Sequence, residues 1–265
     1  MVSVAKNVLS LSNVTMQFGG LKAVNNLSFD VKENEILGII GPNGAGKTTL
    51  FNCITQFYDN YDGSISYTDR DDNTIDLRSI AVTNVINLGI ARTFQNIELI
   101  PDLSVIDNVL VGAHKQFHST LIEQILKLPR ARKEEKQLRA KALEILEFLN
   151  IAHLKDFYVA GQPYGILKKI EIARTLMSNP RLIILDEPAA GLNDSETDEL
   201  ETIIYEIKAR YGASIMVIEH DMGFVMNICD RVCAINFGQL LAIDTPKKIQ
   251  QNKLVQEAYL GKEDQ

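Results

Sequence analysis

The sequence predicts an α/β fold built around a largely parallel β-sheet. Residues 41–48, GPNGAGKT, lie between a five-residue apolar run and the start of a helical pattern, which is the order of strand, loop and helix in such a sheet. Two more apolar runs, at residues 182–185 and 214–218, alternate with helical stretches and are predicted to be buried parallel strands. Residues 8–18 and 27–31 instead alternate apolar and polar side chains, which indicates an N-terminal antiparallel β region.

The composition limits what such a fold could do. The chain has 265 residues, 46% of them hydrophobic, so one large α/β domain can bury a substantial core. A formal net charge of −7 argues against a nucleic-acid binder, since those proteins carry basic surfaces. The odd number of cysteines, Cys53, Cys229 and Cys233, favours small core residues in a reducing compartment over disulfides or zinc. Without an apolar signal core or a run of about 18 apolar residues, a soluble cytosolic chain is expected.

Residues 41–48 fit the G-x-x-x-x-G-K-[ST] pattern of a phosphate loop. Its glycines let backbone N–H groups turn inward and cradle phosphate oxygens, and the dipole of the following helix adds to the attraction. Lys47 is expected to reach the β- and γ-phosphates, and Thr48 to offer a hydroxyl to Mg²⁺. The predicted nucleotide-binding residues here are Gly41, Asn43, Gly44, Ala45, Gly46, Lys47, Thr48 and Thr49. A nucleoside triphosphate is therefore the expected ligand.

Residues 104–150 carry helical periodicity and are predicted to form a helical insertion. One face is apolar and comprises Leu138, Ala142, Ile145, Leu146 and Leu149. The opposite face is basic and comprises Arg132, Lys133, Lys136 and Lys141. The basic face could bind anionic lipid or a partner, but a solvated helix face stabilised by pairs such as Glu135 with Arg139 is favoured.

The remaining elements are marked by short local signals. A strand candidate at residues 63–67 precedes a polar run at 69–73 that is expected to be a solvated turn. A helix that follows Gly165 should end before Pro180, because proline cannot continue it. Residues 195–198 resemble a capping box that begins another helix. The apolar stripe of that helix comprises Leu200, Ile203, Ile204 and Ile207.

Polar side chains end two of the predicted buried strands. Asp186 and Glu187 follow one of them, where carboxylates are costly unless they face a cation or water. Asp186 is expected to hold Mg²⁺ through its water shell, and Glu187 to orient or deprotonate the attacking water. His220 ends the next strand and could donate to a γ-phosphate oxygen. Helix capping, the alternative for the carboxylates, is disfavoured because Pro188 follows at once and the next helix starts later. A capping or surface position, the alternative for the histidine, is disfavoured by the accompanying loop and acidic pair.

These motifs, in this order, resemble the ATP-binding cassette subunits of membrane transporters. The set comprises residues 41–48, Gln95, Tyr164-Gly165, residues 182–187, Gly191-Leu192-Asn193 and His220. The resemblance spans nearly the whole chain and implies a phosphate-loop NTPase fold with a RecA-like sheet core and an inserted helical subdomain. It implies one domain over residues 1–265, with the core at about 1–95 and 179–265 and the helical subdomain at about 96–178.

The same resemblance implies ATP and Mg²⁺ as cofactors and assigns roles to single residues. Phe18 takes the place of an aromatic ring that stacks on adenine. Gln95 resembles the glutamine whose loop touches Mg²⁺ and connects the sheet domain to the helical subdomain. Glu187 and His220 would be catalytic, and Thr48, Gln95 and Asp186 would serve the metal.

Four longer stretches of sequence make the resemblance more specific. Residues 18–24, 89–96, 186–193 and 258–261 are similar to the ATPases of branched-chain amino-acid importers. This implies a motor subunit bound peripherally to permease subunits on the cytoplasmic side of the membrane, head to tail with a second ATPase, either a paralogue or a second copy. Importers of urea or other amides and lipid-type exporters share much of the pattern. A soluble cassette protein of translation or DNA repair fits the single acidic cassette poorly.

The chain departs from the family at the signature, residues 162–166, which is usually Leu-Ser-Gly-Gly-Gln and is here Gln-Pro-Tyr-Gly-Ile. Pro163 has neither a hydroxyl nor an N–H, and Ile166 cannot replace the hydrogen bonds of glutamine. Gly165 and the following helix N-terminus remain, so a weaker contact with the phosphate bound by the opposite subunit is expected. This change keeps open an ATP-gated subunit that supports little hydrolysis.

Overall fold

The computed structural model describes residues 6–93, 98–117, 119, 123 and 128–260. Its contacts divide the chain into two compact units, one of Met1–Arg92 with Arg181–Gln265 and the other of Thr93–Pro180. Within the described part of the chain, every helix is too short or too polar to cross a membrane.

The strands all belong to the first unit. They are β1 (Asn7–Phe18), β2 (Leu21–Lys32), β3 (Ile36–Ile40), β4 (Asp62–Thr68), β5 (Thr74–Asp76), β6 (Ile90–Arg92), β7 (Leu182–Asp186), β8 (Ser214–Ile218), β9 (Arg231–Asn236) and β10 (Gln239–Asp244). The helices are α1 (Lys47–Ile54), α2 (Val82–Val85), α3 (Val105–Val111), α4 (Pro129–Phe148), α5 (Tyr164–Met177), α6 (Asp194–Tyr211), α7 (Met222–Ile228), α8 (Pro246–Gln250) and α9 (Lys253–Leu260). Short 3-10 turns cover Leu77–Ser79, Ile86–Leu88, His114–Gln116 and Ala152–Leu154.

The larger sheet has the order β10-β9-β3-β8-β7-β6 and is parallel except for β10. Every residue of β3, β7 and β8 is buried, which confirms the prediction of central parallel strands covered on both faces. Because β3 and β7 both flank β8 in parallel register, their carboxyl ends meet at one edge of the sheet. The segments that follow these strands therefore converge there.

The smaller sheet is antiparallel and has the order β2-β1-β4-β5. The predicted start of its second strand at Leu27 is wrong, because β2 begins at Leu21 and pairs with Phe18 across the turn. Register shifts interrupt the pairing of β1 with β2, and a bulge shifts the inward-facing positions by one residue. The simple alternation is therefore lost in the first half of β2 although the chain stays extended.

Most of the core predictions for the first unit are confirmed. The apolar stripe of α6 is buried, and so are the three cysteines. Burial raises the pKa of Cys53, Cys229 and Cys233 to about 12 in each case, so they remain thiols at neutral pH. The polar run after β4 forms a turn, in which the Asp69 carboxylate accepts from the backbone N–H groups of Asp71 and Asn73 at 2.9 Å.

The N-terminus of α6 differs from its prediction. Its N-cap is Asn193, whose side chain accepts from the Glu196 N–H at 3.0 Å, while the Glu196 carboxylate accepts from the Asn193 N–H at 3.0 Å. The capping box predicted at residues 195–198 is therefore wrong. Asparagine caps as well as serine does, and the reciprocal pair already forms two residues upstream.

In the second unit, α3, α4 and α5 pack against one another, and the predicted apolar face of α4 is buried. Helix α5 ends at Met177, before Pro180, as predicted. The Arg139 Nε donates to the Glu135 carboxylate at 3.1 Å, which confirms that pair. Lys141 does not lie on a solvated face, because its Nζ donates to the Met177 carbonyl at 2.9 Å and burial lowers the pKa of its ammonium group.

Candidate functional site

The phosphate loop lies between β3 and α1 and has a backbone that only glycine permits at its last turn. Gly46 has a φ of 100°, and a Cβ placed there would lie 2.1 Å from the Ala23 carbonyl oxygen. The Gly238 N–H donates to the Ala45 carbonyl at 2.9 Å, and the Ala45 N–H donates to the Pro42 carbonyl at 3.1 Å. The loop therefore packs closely against β2 and is hydrogen-bonded to the turn between β9 and β10.

In the phosphate loop, Lys47 is buried and Thr48 is exposed. The Lys47 Nζ donates to the carbonyls of Gly41 and Pro42, at 2.6 and 3.1 Å, so its charge is held above the loop. Thr48, the second residue of α1, is exposed. The N-cap, Gly46, offers no side chain to cover the first N–H groups of α1, so the positive end of the helix dipole adds to the Lys47 charge.

Asp186 ends β7, is 5% exposed and pairs with an arginine that the sequence reasoning did not single out. The Arg92 Nη2 lies 2.6 Å from the Asp186 Oδ2, and the Arg92 Nη1 donates to the Asn52 Oδ1 at 2.7 Å. A buried carboxylate is costly without a countercharge, which Arg92 provides. Arg92 falls within the family-like stretch at residues 89–96, and the pairing of β6 with β7 brings it beside Asp186.

Glu187 and His220 follow neighbouring strands, and their side chains meet. The His220 Nε2 lies 3.0 Å from the Glu187 Oε1. Glu187 has a φ of 49°, a left-handed conformation that is costly for a residue with a Cβ. Its N–H donates to the Ile218 carbonyl at 2.9 Å, and this bond fixes the turn. The backbone thus aims the Glu187 carboxylate towards His220.

Glu219, between β8 and His220, is a further residue of the site that the sequence motifs do not indicate. It is 4% exposed, and its carboxylate accepts from the Ala189 N–H at 2.7 Å and from the His220 N–H at 3.1 Å. Burial raises the pKa of Glu219, against the opposing effect of these hydrogen bonds. Glu219 therefore ties the segment after β7 to the segment after β8. A charged residue directly after four apolar ones, residues 215–218, was the signal that could have identified it.

The phosphate loop, Glu187 and His220 line one open cleft of about 470 Å³ in the first unit. Its lining comprises Phe18, Leu21, Lys22, Ala23, residues 43–49, Glu187, His220 and Phe237. Phe18 is 43% exposed, and its ring meets that of Tyr58 edge-on, with centroids 5.2 Å apart. Two predicted site residues, Gly41 and Asp186, are buried and do not line the cleft. Gln95 lies outside the described residues.

Two of the predicted metal-site residues carry oxygen donors of the kind that suits a magnesium ion. The Thr48 hydroxyl and the Asp186 carboxylate are hard oxygen ligands, which Mg²⁺ prefers. No group of three or more His, Cys, Asp or Glu side chains suited to a metal occurs among the residues with a described position. Mg²⁺ usually keeps several of its own waters and is bound through one or two protein oxygens and the phosphates of a nucleotide.

The signature segment, residues 162–166, lies at the start of α5 in the second unit. Pro163 is the N-cap residue and makes no side-chain capping bond, so Tyr164 begins the helix. The Lys168 Nζ lies 5.7 Å from the centre of the Tyr164 ring. Gly165 lies in the first turn of this helix, whereas Pro163 has no hydroxyl to contribute.

Comparison with known proteins agrees with this geometry. A family model described as ABC transporter matches residues 24–190. The chain is 40% identical over 254 residues to the high-affinity branched-chain amino acid transport ATP-binding protein LivG of Salmonella typhimurium, covering 96% of this chain and 98% of that protein. It is 37% identical over 257 residues to the corresponding protein BraF of Pseudomonas aeruginosa, with coverage of 97% and 99%. A crystal structure of the ADP conformation of an ATP-binding cassette of an ABC transporter matches with a TM-score of 0.82 at 31% identity, covering 97% of this chain and 100% of that one.

Proposed function

The chain belongs to the ABC transporter family of ATP-binding cassettes, and on this basis we propose that it is the ATP-hydrolysing motor subunit of a branched-chain amino-acid importer. The observation that carries this proposal is the shared cleft. It places the phosphate loop beside Glu187 and His220, and Phe18 lines the same space. Relatives of nearly equal length supply the substrate class, since LivG and BraF are branched-chain amino acid transport proteins.

The loop would bind the phosphates of ATP. Its N–H groups and the N-terminus of α1 favour an anion, and Lys47, held over the loop by two carbonyls, would turn to the β- and γ-phosphates. Thr48 and Asp186, together with Gln95, would hold magnesium, which when bound neutralises phosphate charge. The base would then extend towards Phe18, which lines the same cleft.

Glu187 would position the attacking water, because its carboxylate is fixed by the left-handed backbone and by His220. Phosphoryl transfer needs chiefly a positioned nucleophile and compensation of charge. His220 would hold Glu187 in place and offer its ring to the γ-phosphate. Glu219 would keep both segments in register through its two backbone hydrogen bonds.

The chain would act on the cytoplasmic side of the cell membrane, attached to permease subunits. We place it head to tail with a second ATPase, so that each ATP lies between the phosphate loop of one subunit and the signature of the other. Binding of ATP would close this pair and hydrolysis would reopen it, which drives the permease. The altered signature favours a paralogous partner over a second copy.

Co-purification from membranes and transport by the recovered complex test this proposal. The chain should be recovered with permease subunits and a second ATPase, and the reconstituted complex should take up leucine, isoleucine or valine only with ATP. Uptake of urea or an amide instead would overturn the substrate class. Export of lipid, recovery without any membrane protein, or uptake unaffected by loss of ATP hydrolysis would overturn the importer itself.

A further inference from the structure

The hairpin between β9 and β10 contains a turn whose residues do not suit it. Asn236 pairs with Gln239, so the loop consists of Phe237 and Gly238, with φ values of 47° and 75°. Two positive φ angles define a type I′ turn, which favours asparagine or aspartate followed by glycine. Gly238 meets this preference, whereas Phe237 bears a large side chain on a left-handed backbone.

Phe237 is also unusual among the left-handed residues of this chain. Nine non-glycine residues in the described part have positive φ, and six of them are the asparagines and aspartate that tolerate it: Asn13, Asn26, Asn34, Asp72, Asn150 and Asn179. The other three are Gln56, Glu187 and Phe237. Gln56 is held by buried hydrogen bonds to the Cys53 carbonyl and the Tyr61 hydroxyl. The remaining two both line the cleft, and strained residues concentrate at functional sites.

Packing within the chain does not account for the phenylalanine, because Phe237 is 81% exposed. The turn itself is fixed in place. The Gly238 N–H donates to the Ala45 carbonyl and the Asn25 N–H donates to the Gly238 carbonyl, both at 2.9 Å. The hairpin is therefore anchored to the phosphate loop and to β2, and it holds an aromatic ring at the mouth of the cleft.

We propose that Phe237 is a second aromatic contact for the base and ribose of the bound nucleotide, in the part of the cleft lined by Phe18. This rests on the proposed function, in which the cleft binds ATP. The phosphates take the end formed by the loop, Glu187 and His220, which leaves the apolar lining of Phe18, Leu21 and Phe237 for the base. Contact through an aromatic face does not depend on the hydrogen-bonding edge of the base, so Phe237 would add affinity without selecting adenine.

Nucleotide titration of the isolated full chain tests this without hydrolysis. With Mg-ADP as the probe, Phe237→Ala should weaken binding by about three- to tenfold, the loss expected for one aromatic contact, and Phe18→Ala should do so to a similar extent. Inorganic tripolyphosphate, which has no base, should bind the wild type and both variants equally. Phe57→Ala is the matched control, because Phe57 is an exposed phenylalanine of the same unit that does not line the cleft.

Phe237→Asn provides a second test, which compares stability with nucleotide affinity. Asparagine tolerates the left-handed conformation, so this variant should raise the thermal unfolding midpoint while weakening Mg-ADP binding as the alanine variant does. That combination separates a ligand contact from a structural role, because a residue kept for stability would lower the midpoint when replaced.

Three outcomes would overturn the assignment of Phe237. They are unchanged Mg-ADP affinity in Phe237→Ala while Phe18→Ala weakens it, an equal loss for tripolyphosphate, and an equal loss in Phe57→Ala. In the first case the proposed function stands, because Phe18 still responds. If Phe18→Ala and Lys47→Ala both bind Mg-ADP like the wild type, the nucleotide cleft itself is wrong and the inference falls with it.

Discussion

The cleft of the first unit and the signature segment of the second differ in how many of the residues typical of this family they keep. The cleft combines Lys47, Glu187 and His220 with a loop held from both sides. The signature segment has Pro163 where its family has serine and Ile166 where it has glutamine, and its helix starts without a side-chain cap. Under the proposed function, we expect this chain to bring a full site for its own ATP and a weak contact for that of its partner.

The largest effect is expected from the carboxylate of the cleft. Glu187→Gln keeps the shape and the contact with His220 but removes the charge that polarises water, so ATP binding should persist while hydrolysis falls by at least about a hundredfold. The measurement is ATPase activity in the assembled complex, with Glu206→Gln, an exposed carboxylate of α6, as control. Activity near that of the wild type would mean that the cleft is not the complete site.

A smaller effect is expected from Glu219, which links the segment after β7 to the segment after β8. Glu219→Leu leaves the N–H groups of Ala189 and His220 without their acceptor, which should lower the free energy of unfolding by about 2 kcal/mol. Urea denaturation measures this, and Glu206→Leu is the control. An unchanged midpoint would show that the two segments keep their positions without Glu219.

The pH dependence of Glu219 has a definite sign. Burial raises the pKa of this carboxyl above its ordinary value of 4.5, so the folded state binds the proton more tightly than the unfolded state does. The resulting stabilisation is complete below pH 4.5 and is lost as the pH rises through the folded-state pKa. The wild type should therefore lose stability relative to Glu219→Gln over that interval. A difference that stays constant with pH would contradict the raised pKa.

The smallest effect concerns the signature. Restoring the family residues with Pro163→Ser and Ile166→Gln adds a hydroxyl and an amide, each worth about 1 kcal/mol as a hydrogen bond. In a Glu187→Gln background, where hydrolysis cannot reopen the pair, ATP-induced dimerisation of the isolated chain should then strengthen by at least about tenfold. Size-exclusion chromatography with Mg-ATP measures this. An equally stable dimer of the unrestored chain would show that the altered signature does not weaken ATP-induced dimerisation.

The predictions of the fold that were confirmed rest on local patterns. Short runs of four or five apolar residues predicted each of β3, β7 and β8, because a strand covered on both faces needs mainly apolar side chains. The start of β2 was missed because bulges interrupt its alternation. Lys141 was placed on the wrong face because only the packing of α4 beside α5 brings its ammonium group to the Met177 carbonyl.

The order of residues along the chain was enough to indicate the phosphate loop, the carboxylates after β7 and the histidine after β8, because each motif is contiguous and its backbone geometry is local. Folding decided the contacts of these residues. The partners Arg92 and Asp186 are 94 positions apart, and Glu219 and Ala189 are 30 apart. Phe237 reaches the cleft that contains Phe18 because a hairpin is anchored to the loop. Such pairs leave no periodicity in the sequence, since what joins them is the register of neighbouring strands rather than their spacing along the chain.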